Sequence, residues 1–272
     1  GQLICSLQTF YIRNIMSKED MLITEFDFTL IANYFSALDR QGPGGKAETL
    51  KALSFITDLP AKPKIADLGC GTGFQTSVLA SSMDCSVIAM DLLPEMVEGV
   101  KARIKRDKLE DKVTALVGSM TELPFRPNEF DVFWAEGSIY NIGFEKGLTE
   151  WKKFIKPGGY VAVSECCWLT NKRPDDMDYF LQNFPEIDNV SGKLRIMEQA
   201  GYLPVAHFVL PEYCWVVNYY AQMETRMRDF LEENNNSMAA QKFVDLMKKD
   251  ILVYERYKEY FGYVFFIGQK CD

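Results

Sequence analysis

The sequence predicts an α/β fold: a parallel sheet covered by helices on both faces. Apolar runs of strand length alternate with amphipathic helical segments between residues 64 and 165, and the first run opens into glycines at alternate positions. A chain of 272 residues, 47% hydrophobic and 25% charged, suffices for one large α/β domain, or a domain with a lid.

Residues 1–20 read as a peripheral extension, with neither a basic leading segment nor a small-residue cleavage site of the secretory kind. Phe26 to Leu38 reads as an amphipathic helix with Phe26, Leu30, Tyr34 and Leu38 on one face. Gln41-Gly42-Pro43-Gly44-Gly45 breaks the chain, Glu48 to Ile56 is helical, and Pro60 to Pro63 stops it. Strands follow near 64–68, 86–90, 113–117, 130–135 and 159–165. Pro94 sits in the first turn of a helix whose apolar stripe is Met96, Val100 and Ile104, with Glu95 and Glu98 at the positive end of its dipole. Phe144, Leu148, Trp151 and Ile155 mark another helix, ending before Pro157-Gly158-Gly159.

Beyond the fifth strand the pattern changes. A helix near Val190 to Ala200 closes on Gly201, strands run near 204–210 and 263–267, and two amphipathic helices split by Glu232 to Asn236 lie between those strands. That insertion is too long for a hairpin loop, and residues 211–260 read as a helical substrate cap.

Charge and cysteine usage exclude several classes. The net charge of −8 and the absence of a basic block disfavour nucleic acid. Seven scattered cysteines, one histidine and no CxxC pair predict no metal site and a reduced, cytoplasmic setting. No apolar run reaches the roughly 20 residues of a membrane span. His207 lies inside a strand pattern, away from the strand ends where ligands bind, and reads as a core or surface residue.

The chemistry concentrates in Ile65-Ala66-Asp67-Leu68-Gly69-Cys70-Gly71-Thr72-Gly73. A buried strand, a glycine turn and a helix N-terminus let bare backbone approach a small ligand. The second strand ends in Asp91, placed to grip a ribose diol. A dinucleotide site requires a third glycine where Phe74 stands, and Asp67 is awkward beside a pyrophosphate. The spacing therefore points to a cationic amino-acid nucleoside.

Asp67 to Gly73, Asp91, Gly118-Ser119-Met120 and the Lys156-Pro157-Gly158-Gly159 turn before a strand ending at Glu165 occur in an order that resembles the class I S-adenosylmethionine-dependent methyltransferases. Within that family the chain is most similar to small-molecule enzymes such as the quinone-type C-methyltransferases, over about residues 45–210 and the closing strand. The resemblance implies a Rossmann-like, seven-stranded, mostly parallel sheet with its last strand antiparallel and the cap inserted between strands 6 and 7. It makes residues 21–272 a single methyltransferase domain and S-adenosyl-L-methionine the cofactor. It also implies that Gly69, Gly71, Thr72 and Gly73 form the loop beneath the methionine part, with Asp67 near its ammonium. Asp91 would hold the ribose, Leu92 would pack on the adenine, and Ser119 and Met120 would flank its other face. Many relatives carry an acid where this chain has Ser119.

The acceptor half is less constrained. Glu136, at the carboxyl end of the fourth strand, is the candidate general base, with a structural ion pair as its alternative. Glu165 is a second acid of the same kind. Tyr34, Tyr140, Trp168, Trp215, Tyr219 and Tyr220 are candidate pocket aromatics, able to stabilise a sulfonium or line an apolar acceptor site. The cap and the Gly42-Pro43-Gly44 break are expected to close over the cofactor. The loop Trp134 to Asn141 lacks the (N/D)-P-P-(Y/F) run of nucleic-acid amino-methylating relatives. The expected function is methyl transfer to a small molecule, by a protein that could form a homodimer. A non-catalytic cofactor-binding sensor or partner subunit, or a protein methyltransferase, is the alternative.

Overall fold

The computed structural model describes residues 28–271, so the 1–20 extension, Phe26 and Cys5 lie outside the described residues. Among the described residues, eight strands form one sheet: β1 Lys64–Leu68, β2 Ser86–Asp91, β3 Val113–Val117, β4 Phe130–Glu136, β5 Ile155–Trp168, β6 Asp188–Asn189, β7 Tyr202–Val209 and β8 Phe261–Lys270. Their order is β3-β2-β1-β4-β5-β8-β7, with the two-residue β6 beside the end of β5. Strands β1 to β5 pair in parallel, and β8 runs antiparallel to both β5 and β7. The mixed, mostly parallel sheet agrees with expectation, and β6 is an addition to it.

Burial explains which strands the sequence made legible. In β1 four of five residues are buried, and in β4 only Glu136 is not fully so, as a sheet covered on both faces demands. Successive residues serve opposite layers. Ile65 and Val132 join the core under the cap, whereas Ala66 and Phe133 join the core on the other face. The edge strand β7 alternates buried or half-buried residues with exposed ones, and His207 is one of the exposed. Pro204 stands at a register shift in that strand, where its missing N–H is tolerated.

The helices are α1 Phe28–Ser36, α2 Lys46–Ser54, α3 Phe74–Ser82, α4 Pro94–Arg106, α5 Phe144–Trp151, α6 Met177–Asn183, α7 Val190–Gln199, α8 Ala221–Glu233 and α9 Met238–Tyr257. Pro94 occupies the first turn of α4, which buries Met96, Val100 and Ile104 as expected. Ile155 does not extend α5. A turn of 3-10 helix, Lys152–Phe154, ends it, and Ile155 pairs with Phe130 as the first residue of β5. Its burial suits either element, so its spacing from Trp151 misleads. The short helix α6 carries no long periodic pattern and was not anticipated.

Between β7 and β8 the chain is helical almost throughout. A turn at Tyr213–Trp215 leads through a π-helical segment, Val216–Tyr220, into α8. Asn235 and Asn236 take left-handed conformations that break the helix, and Ser237 caps α9 by accepting from the Ala240 N–H at 3.3 Å. Helix α1 packs beneath this pair, where the Tyr34 hydroxyl donates to the Met223 carbonyl at 2.8 Å. No helix among the described residues is long and apolar enough to cross a membrane.

Candidate functional site

The strand order reverses between β2-β1 and β1-β4, which opens a crevice at the carboxyl ends of β1 and β4. There the Gly69 and Cys70 N–H groups both donate to the Met90 carbonyl, at 2.8 and 3.1 Å, clamping the turn onto β2. Gly69 adopts φ 67° and Gly71 φ 55°, left-handed conformations that suit glycine. A Cβ on Gly69 would fall 2.5 Å from the Ser138 Cβ, so this backbone must be bare.

Asp91 ends β2 with 4% of its surface exposed. The Gly71 N–H donates to its Oδ2 at 2.9 Å and the Leu93 N–H to its Oδ1 at 3.0 Å. Burial raises its pKa, and these N–H groups pull the other way. Each oxygen keeps a lone pair for a further donor. A cleft of about 980 Å³, counting its mouth, is lined by Gly69, Cys70, Gly71, Asp91, Glu136 and Tyr219, among others. A second cleft of about 340 Å³ lies against Leu92, Gly118, Ser119, Met120 and Asn141, and Gly69 and Asp91 line both. Most of the motif residues expected at a nucleoside site thus converge.

Three of them do not line these clefts. Asp67 is fully buried, its Oδ2 accepting from the Thr76 hydroxyl at 2.5 Å and its Oδ1 from the Gln75 amide at 3.2 Å. Burial pushes its pKa up to about 7. It is a strut between β1 and α3, not a cleft-facing carboxylate. Thr72 turns inward too, its N–H donating to Gln41 Oε1 at 2.9 Å. Gly73 begins α3, packed against Val100. Ser119 lines the smaller cleft, although its hydroxyl lies 2.7 Å from that of Thr121 in a local turn.

Glu136 stands in the cleft wall, but its carboxylate is already engaged. Arg40 Nη2 donates to Oε2 at 2.8 Å, while the Thr49 hydroxyl and Trp134 Nε1 donate to Oε1 at 2.6 and 3.0 Å. Both carboxylate oxygens are thus engaged, one by a guanidinium and the other by two neutral donors, the arrangement of the alternative reading, a structural ion pair. Glu165 is buried away from the clefts. Its pKa is raised to about 7 by burial, against the pull of Lys193, and its Oε2 has no hydrogen-bond partner among the described residues.

Sequence reasoning missed the segment that holds Glu136. Residues 38–44 strap the glycine turn. Gln41 Nε2 donates to the Phe35 and Leu38 carbonyls at 3.0 and 2.9 Å while its Oε1 caps Thr72. Arg103 donates to the Asp39 carboxylate at 2.7 Å. Asn218 Nδ2, from the π-helical segment, donates to the Gly44 carbonyl at 2.8 Å. The Gly-Pro-Gly break signalled a loop here, but its partners are far apart in sequence.

The aromatic candidates divide. Tyr140 and Tyr219 line the large cleft and, with Trp215 and Tyr220, an adjoining chamber. Tyr34 and Trp168 do not. Tyr34 is fully buried against Phe230 and Phe243, at 5.0 and 5.1 Å, and Trp168 packs on Phe180 at 5.0 Å. Ile31, Phe35, Phe243 and Met247 are cleft residues that helical spacing alone could not distinguish from core. Among the described residues no three His, Cys, Asp or Glu side chains form a metal-binding group.

The likeness to known proteins falls on this region. A family profile for a methyltransferase domain matches residues 66–163. A phosphoethanolamine N-methyltransferase from Triticum aestivum is 29% identical over 161 residues, 58% of this chain and 31% of that protein. A ubiquinone/menaquinone biosynthesis C-methyltransferase from Geobacter sp. (strain M21) is 29% identical over 146 residues, 52% of this chain and 61% of that one. The chain thus spans between about a third and three fifths of these relatives. A methyltransferase from Geobacter sulfurreducens, solved with S-adenosyl-L-homocysteine, superposes with a TM-score of 0.77 at 18% identity, over 88% of this chain and 96% of that one.

Proposed function

We propose that the chain is a class I S-adenosylmethionine-dependent methyltransferase, which transfers a methyl group to a small molecule held between the crevice and the helical segment 211–260. One observation carries the reading. The cleft at Gly69 and Asp91 adjoins an aromatic chamber, the two sharing Gln41, Gly42, Gly137, Tyr140 and Tyr219. Donor and acceptor can therefore meet in one connected space.

The residues present fit S-adenosylmethionine. Asp91 would take the ribose hydroxyls, and the bare backbone at Gly69 leaves room beside them. Asn141 Oδ1, buried without a partner among the described residues, lines the smaller cleft and would accept from the adenine amine, the task an acid performs in many relatives where this chain has Ser119. Arg40 Nη1 is likewise unpartnered beside the large cleft, and suits a carboxylate. Bound there, the cofactor supplies a methyl group activated by its sulfonium. The protein's own contribution is alignment and exclusion of water, which can supply about 7–11 kcal/mol of a bimolecular barrier. Glu136 enters as a positioning residue that fixes Arg40 and the strap.

Calorimetry with S-adenosylmethionine and S-adenosylhomocysteine tests the cofactor, and absence of binding by both would refute it. Methyl-labelled cofactor incubated with fractionated cell extract tests the acceptor. Label is expected in small molecules; label confined to protein or RNA would refute the reading.

A further inference from the structure

The large cleft and the aromatic chamber meet at a neck formed by Gln41, Gly42, Gly137, Tyr140 and Tyr219, which line both. Three distant segments supply it: the strap, the turn after β4 and the π-helical segment. The Gly137 N–H donates to Ser164 Oγ at 2.7 Å, and Asn218 Nδ2 ties the π-helical segment to the Gly44 carbonyl at 2.8 Å, so the sides of the neck are held in place. Beyond it the chamber encloses about 480 Å³, counting its opening, and its walls are chiefly aromatic. Trp215 lies 5.0 Å from Tyr263, and Tyr219 lies 5.2 Å from Tyr220. The one carboxylate in that lining, Asp250 on α9, accepts from the Tyr179 hydroxyl at 3.0 Å.

Two glycines frame the neck, and only one of them is demanded by the fold. Gly137 has φ 60°, and a Cβ there would lie 3.3 Å from the Tyr263 ring. Neither reason applies to Gly42. Its backbone is not left-handed, and a Cβ built on it would meet nothing within 4 Å. Pro43 follows it, which favours extended backbone that any side chain adopts. Glycine loses more conformational freedom on folding than any other residue, so a glycine that neither turn nor neighbour requires calls for another reason.

We propose that Gly42 is a specificity-determining residue, whose bare backbone keeps the neck open so that it filters acceptors by the width of the arm carrying the reacting atom. The proposal rests on the methyl-transfer reading above and adds a size filter to that site. The body of the acceptor lies among the rings, and its arm reaches the activated methyl group through the neck. Transfer needs the reacting atoms about 3–3.5 Å apart and in line. A side chain at position 42 stops the arm short or tilts it, and leaves the contacts of Asp91 and Gly69 untouched. A slender arm passes, and one branched beside its reacting atom does not.

The initial rate of transfer from methyl-labelled S-adenosylmethionine into the small-molecule fraction of a cell extract tests the filter in wild type, Gly42→Ala and Gly42→Leu. The rate should fall in order of side-chain size, by about a hundredfold for Gly42→Leu, the scale of a misplacement of roughly 1 Å. S-adenosylhomocysteine affinity, read by calorimetry, should stay within about threefold of wild type. The melting temperature of Gly42→Ala should equal or exceed that of wild type, because alanine restricts the unfolded chain where the native backbone admits it. A glycine kept for structure would lower the melting temperature instead. An unchanged rate in Gly42→Leu, a parallel loss of S-adenosylhomocysteine affinity, or a lower melting temperature in Gly42→Ala overturns the proposal. Wild type that labels no small molecule overturns the methyl-transfer reading and the filter with it, a result distinct from equal labelling by all three proteins.

Discussion

Arg40 and Glu136 form an ion pair 2.8 Å long, with 5% and 2% of their side chains exposed, that ties the strap before α2 to the carboxyl end of β4. The guanidinium also lies over the Phe74 ring, 4.7 Å from its centroid. The pair therefore fixes one wall of the cleft.

Glu136→Gln is expected to lower unfolding stability by about 3 kcal/mol, the low end of the cost of breaking a buried pair, because the amide still accepts a hydrogen bond while Arg40 is left uncompensated. Urea unfolding measures it. A general base would instead leave stability unchanged and abolish an acid limb in the pH–rate profile, so a loss below about 1 kcal/mol contradicts the anchoring role.

Asp91→Ala removes an acceptor for the ribose and the clamp on the Gly71 N–H. Hydrogen bonds to a charged group contribute about 1.5–3 kcal/mol, so S-adenosylhomocysteine affinity should fall roughly ten- to a hundredfold. Calorimetry reads the change, and unchanged affinity would remove Asp91 from the site.

Gly69→Ala and Gly71→Ala should differ. At Gly69 the new Cβ meets the Ser138 Cβ at 2.5 Å, whereas at Gly71 it meets the movable end of Gln41. Both also force a left-handed alanine, costing roughly 1–2 kcal/mol. Gly69→Ala is expected to unfold at the lower temperature and Gly71→Ala chiefly to loosen the strap, seen as faster amide exchange at residues 38–44. Equal melting temperatures would refute the distinction.

Asp67 gives a pH dependence of stability. Its pKa rises from an ordinary 3.8 to about 7 in the folded protein, so between these values the native state holds a proton that the unfolded chain has released. Its contribution is present in full below pH 3.8 and is lost as the pH climbs through about 7, at up to about 1.4 kcal/mol per pH unit. Glu165, raised from 4.5 to about 7, acts in the same direction. Denaturant unfolding of Asp67→Asn from pH 4 to 8 should show a shallower decline than wild type; an identical slope would refute the assignment.

The glycine turn, Asp91 and the alternation of β1 to β5 were legible because each is a local requirement. Left-handed backbone demands glycine, a sheet covered on both faces demands apolar runs, and the acid follows directly on its strand. Asp67 was legible as an acid of the motif, expected near the cofactor's ammonium, but its direction was not. Thr76 and Gln75 come from the next helix, and their donors turn the carboxylate away from the cleft. Tyr34 and Tyr219 illustrate the same limit, since both are tyrosines on helical segments and only Tyr219 reaches a cavity.

By itself the sequence determined the α/β class, from the alternation between residues 64 and 165, and the crevice at the end of β1 with the nucleoside character of its ligand, from residues within about thirty positions of one another. Only the tertiary structure decided that Glu136 is Arg40's partner, and that Asp250 stands among the tyrosines of the chamber. Those juxtapositions join segments 96 residues apart in one case and 71 in the other, Tyr179 to Asp250. No periodicity along the chain encodes which charge meets which ring once the helices pack.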